Sequence, residues 1–83
     1  MSALSRDAIR TMMAEVLQAQ GKSMPADDAA SLEQIGFRSL DFSELALRVE
    51  DETGEELNFD APVLRSIRTV GDVLDFLEQL QAA

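Results

Sequence analysis

Residues 35–50 read Ile35-Gly36-Phe37-Arg38-Ser39-Leu40-Asp41-Phe42-Ser43-Glu44-Leu45-Ala46-Leu47-Arg48-Val49-Glu50, and this stretch decides the fold. Gly36 marks a turn, and a helix is expected to start at or next to Ser39. At about 100° per residue the sequence separates into faces. Phe42, Leu45, Ala46 and Val49 form one apolar stripe for burial. Leu40 and Leu47 fall on nearly the opposite side, ringed by Asp41, Glu44, Arg48, Asp51 and Glu52. Two leucines inside a charged rim have the composition of a small docking surface, though isolated surface leucines are also ordinary. Gly54 is placed to end this helix.

Working outward, the same one-sided periodicity recurs twice. Upstream, Ile9, Met12, Met13, Val16 and Leu17 follow i, i+3, i+4, i+7, i+8 behind a Ser5 cap with Asp7 in the first turn. Gly21 stands where a left-handed terminating residue is expected. Downstream, Val70, Val73, Leu74, Phe76, Leu77 and Leu80 give a broad apolar face, with Thr69 and Asp72 spaced as a weak capping box.

Between the first two helices lies a long polar connection interrupted by Pro25. Leu32 and Ile35 are its expected anchors, through one helical turn after Ser31. After Gly54, Leu57 and Phe59 anchor a loop. Asp60 can cap a short helix with Pro62 in its first turn, running to about Ser66 with Val63, Leu64 and Ile67 facing inward. No strand-like alternation, internal repeat or low-complexity segment is present. The expectation is all-α: one small domain over 1–83, an antiparallel bundle of three main helices plus one short helix.

With 83 residues, no cysteine and no histidine, disulfides and Cys/His metal sites are excluded, and stability must come from helix packing. The charge is lopsided. Residues 1–38 carry four basic and five acidic groups, a net of −1. Residues 39–83 carry three basic and eleven acidic groups, a net of −8, which together make the overall −9. Such a surface repels nucleic acid and anionic membranes and attracts basic protein patches. No apolar run reaches the roughly 18 to 20 residues needed to cross a bilayer. A soluble, cytoplasmic monomer without membrane insertion is expected.

Residues 32–52 resemble the signature of acyl carrier proteins: an apolar-x-x-apolar-Gly lead-in (Leu32, Ile35, Gly36), then Ser39-Leu40-Asp41, Glu44-Leu45 and an acidic cluster from Glu50 to Glu52. Helix order, the long first connection and the short third helix extend the likeness over nearly the whole chain. The resemblance implies a 4'-phosphopantetheine arm on Ser39, flanked by Arg38 and Leu40. It also implies acyl cargo held as thioesters. The implied partners are a phosphopantetheinyl transferase and acyl-loading and biosynthetic enzymes whose basic patches meet Leu40, Asp41, Glu44, Leu47, Arg48, Asp51 and Glu52. The family usually has Asp before the serine, where this chain has Arg38. Arg38 is then either a solvated arginine or a neutralising neighbour of the arm's phosphodiester.

Other roles stay open for these residues. Ser39 has the composition of a helix cap, a role compatible with attachment. Phe42 is expected to pack in the core, and its bulk beside Ser39 can also limit room for cargo. Catalysis by this chain itself is poorly supported: there is no His or Cys, and Lys22, the single lysine, is far from Ser39 in sequence. A peptidyl or aminoacyl carrier and an unmodified adaptor are the alternatives to an acyl carrier of fatty acid, polyketide or related biosynthesis.

Overall fold

The structure, a computed structural model, describes residues 4–59 and 61–82. Among the described residues five helices follow one another: α1 (Arg6–Gln18), α2 (Leu32–Ile35), α3 (Ser39–Thr53), α4 (Ala61–Leu64) and α5 (Val70–Ala82). Three are long and two are single turns. The described residues contain no strand, only an isolated bridge between Ser31 and Thr69. That bridge, closed by Leu32 N–H to the Arg68 carbonyl (2.9 Å) and Val70 N–H to the Ala30 carbonyl (3.1 Å), lashes the first connection to the start of α5.

The three expected stripes meet in one core. Ile9, Met13, Val16 and Leu17 of α1 are fully buried, as are Leu45 and Val49 of α3 and Val70, Val73, Leu74 and Leu77 of α5. Helix α1 packs against both α3 and α5. Leu32, Phe37 and Leu57 are buried from the connecting segments, so the loops contribute to the core.

Local signals account for the helix ends. The Ser5 hydroxyl accepts the Ala8 amide (3.1 Å), and the Thr69 hydroxyl accepts the Asp72 amide (3.1 Å). The Asp72 carboxylate takes the Arg68 and Thr69 amides at 3.0 and 3.1 Å in return, so the capping box is complete. These bonds, the Arg68 amide first, hold the Asp72 carboxyl below the ordinary value of 3.8.

The long polar connection between α1 and α2 is held by ion pairs. Asp28 meets both Arg6 (2.9 Å) and Arg10, Arg10 also donates to the Pro25 carbonyl (3.1 Å), and the Asp28 carbonyl accepts the Gly71 amide (2.8 Å). Arg6 continues to Asp75 and Glu78 of α5, both at 2.6 Å, and these carboxylates raise its pKa further.

The helical turn expected after Ser31 forms α2 (Leu32–Ile35), with Ser31 as its cap, and joins the expected bundle of three main helices and a short one. Two expectations are corrected. Helix α4 ends at Leu64 rather than near Ser66, where its last carbonyls close only tight turns. Val63 is exposed rather than inward, since a single turn presents only one side to the core, and Leu64 with Ile67 takes it. The cap proposed at Asp60 lies outside the described residues.

Candidate functional site

The site is built by the turn between α2 and α3. Gly36 sits in the left-handed region (φ 76°), where an L side chain is strained, and there it terminates α2. Phe37 then inserts into the core, 5% exposed. The chain emerges extended at Arg38 (φ −108°, ψ 177°), which occupies the cap position of α3. An arginine side chain has no acceptor to offer the first-turn amides. Asp41 supplies the reciprocal contact instead, its Oδ2 accepting the Arg38 amide at 2.8 Å.

Ser39 is therefore the first residue of α3 and not its cap. It is exposed, and its hydroxyl has no hydrogen-bond partner among the described residues. Beside it opens a groove of about 320 Å³ lined by Leu32, Phe37, Phe42, Leu64 and Ile67, with Glu33, Arg38 and Ser39 at its polar edge. A hydroxyl at the positive end of α3, with first-turn amides around it and a guanidinium next in sequence, suits a phosphate ester. The residues present therefore fit a phosphopantetheine group.

Asp41 was expected on the docking rim, but it is only 6% exposed. Its Oδ1 accepts a hydrogen bond from Gln20 Nε2, at the end of α1. Gln20 Oε1 in turn accepts from Lys22 Nζ (3.1 Å), and Lys22 also donates to the Gly36 carbonyl (2.7 Å). Lys22, remote from Ser39 in sequence, thus braces the turn that precedes it. Gln20 and Lys22 carried no periodic or motif signal, and only the return of the α1 end to this turn reveals their part.

The other rim residues divide. Leu40 (81%) and Leu47 (60%) are exposed large hydrophobics, as the helical wheel requires. Glu44, Asp51 and Glu52 are exposed beside them. Arg48 is half-buried and lies within ion-pair reach of Glu15 of α1 (3.4 Å) and Glu44 (3.8 Å). Glu50 turns away from Asp51 and Glu52 to accept the Leu57 amide (2.7 Å). No group of three or more potential metal-ligating side chains occurs among the described residues. None of the described helices is long and apolar enough to cross a membrane.

The helical bundle thus sets an exposed serine at a helix start, next to an acidic face with two exposed leucines. The family model described as "Phosphopantetheine attachment site" matches residues 7–77. An acyl carrier protein of Sinorhizobium fredii and the acyl carrier protein AcpP of Rhizobium meliloti are each 40% identical over 57 residues, 69% of this chain and 70% of theirs. A crystal structure of an acyl carrier protein from Thermotoga maritima superposes with a TM-score of 0.69 at 24% identity. It covers 93% of this chain and 91% of that one, and shares the fold. The chain belongs to the acyl carrier protein family, and its prosthetic group is 4'-phosphopantetheine.

Proposed function

We propose that Ser39 carries the 4'-phosphopantetheine arm and that this single carrier domain holds acyl intermediates for partner enzymes of fatty acid, polyketide or related biosynthesis in the cytoplasm. The observation that carries the reading is the exposed Ser39 hydroxyl at the first position of α3, beside the groove. The bound group supplies a terminal thiol, which a chain without cysteine lacks. The protein's own residues fix the anchor. Gly36 makes the turn, Asp41 secures the Arg38 amide, and the Gln20–Lys22 pair clamps that turn to α1. The guanidinium of Arg38 is the neighbour that balances the phosphodiester charge.

Leu40 and Leu47 supply the short-range contact with partners, and Glu44, Asp51 and Glu52 steer their basic patches. Exposed charges of this kind give fast, salt-sensitive and weak association. That suits a protein that must leave each partner after every transfer.

Incubating the full chain with coenzyme A and a broad-specificity phosphopantetheinyl transferase, followed by intact mass, tests the assignment. The wild type should gain the mass of the arm, Ser39→Ala should not, and Arg38→Asp should be modified at least as well as wild type. No gain on wild type would leave the unmodified adaptor as the better reading. Loss of modification in Arg38→Asp would make Arg38 a requirement for the transferase.

A further inference from the structure

One wall of the groove beside Ser39 is an aromatic ring. Phe42 lines it and is only 4% exposed. Against that ring stand Phe59, edge-on at 5.4 Å, and Phe76 at 5.9 Å, themselves 6.0 Å apart. Neither Phe59 nor Phe76 lines the groove, so Phe42 is the partition between it and the aromatic cluster behind. Three mutually packed rings hold one another in place and leave little space for a flexible chain.

We infer that Phe42 limits cargo length, so that this carrier shields short apolar acyl groups of up to about six carbons and leaves the rest of longer ones in water. The inference rests on the carrier reading of Ser39. The groove of about 320 Å³ has room for about ten water-sized groups at ~30 Å³ each, and the thiol end of the arm must share that space with the acyl carbons. Its walls are Leu32, Phe37, Leu64 and Ile67, which fixes the chemistry as hydrocarbon. Among the described residues that line it, only Glu33 and Arg38 are charged. Phe42 as a plain core residue would affect stability but not the dependence on acyl length.

The test uses a phosphopantetheinyl transferase to move the acyl-phosphopantetheine of four-, six-, eight- and twelve-carbon acyl-coenzyme A thioesters onto Ser39 of the full chain, with adenosine 3',5'-bisphosphate leaving. Loading is checked by mass, and thioester cleavage by hydroxylamine is timed. Each methylene withdrawn from water shifts an equilibrium by about fourfold, so a carrier enclosing the whole chain gains protection steadily with length. In wild type, cleavage rates should agree within about twofold from six to twelve carbons. In Phe42→Ala they should keep falling over that range. Phe42→Leu is the second variant should the alanine form fail to fold, and it should show the same trend more weakly. Protection in wild type that rises through twelve carbons, or an unchanged flat profile in a folded variant, overturns the inference. Failure of wild type to gain any mass is a separate result, which removes the carrier reading itself.

Discussion

Replacing Asp41 with alanine separates two roles that the sequence does not distinguish: a rim charge for partners and a strut for the attachment turn. In the structure the carboxylate is 6% exposed and accepts the Arg38 amide at 2.8 Å and the Gln20 side chain. A hydrogen bond to a charged group contributes about 1.5–3 kcal/mol, and stranding the Gln20 partner adds about 1 kcal/mol. Asp41→Ala should therefore cost about 2–4 kcal/mol. For a domain of this size each kcal/mol lowers Tm by about 4–8 °C, so the midpoint should fall by at least about 8 °C. Asp41→Asn keeps one acceptor and should cost about half as much. Glu44→Ala, a truly exposed carboxylate on the same helix, should stay within about 0.5 kcal/mol of wild type. Thermal unfolding followed by far-UV circular dichroism reads all three. If Asp41→Ala unfolds at the same temperature as Glu44→Ala, the strut does not exist and Asp41 belongs to the rim after all.

Asp72 gives a pH signature. Its folded pKa lies below the ordinary 3.8, so its contribution is complete above that value and is lost as pH falls through the folded pKa. Asp72→Asn should thus lower Tm at pH 7 by more than at pH 3, and equal losses at both would refute this. Leu40→Ala and Leu47→Ala should each weaken binding to the phosphopantetheinyl transferase by about tenfold, roughly 1.4 kcal/mol, with Tm unchanged. Titration calorimetry showing wild-type affinity in both would dismiss the docking face.

What the sequence showed plainly was whatever depends on periodicity. Ile9, Met13, Val16 and Leu17, or Leu45 and Val49, recur at helical spacing because one side of each helix must be dry, so the bundle was readable. Leu40 and Leu47 were legible for the converse reason: they break the pattern. Asp41 was misplaced because angle on a wheel says nothing about which polar residue the end of a neighbouring helix will cover. The same limit hid Gln20 and Lys22, whose part depends on where the end of α1 meets the turn before Ser39. It also hid Asp28, an unremarkable acid in sequence that two arginines of α1 converge upon.

The bond between Lys22 and the Gly36 carbonyl has a chemical consequence besides its mechanical one. Thioesters acylate free amines, and a protein that holds them risks modifying its own surface. Here the other side-chain cations are all arginines, whose guanidiniums stay protonated and do not attack. The one amine-bearing side chain is held by two hydrogen bonds. On the carrier reading, the ammonium of Lys22 is thus occupied in the turn before Ser39 and is a poorer acceptor for a thioester than an unbonded lysine would be.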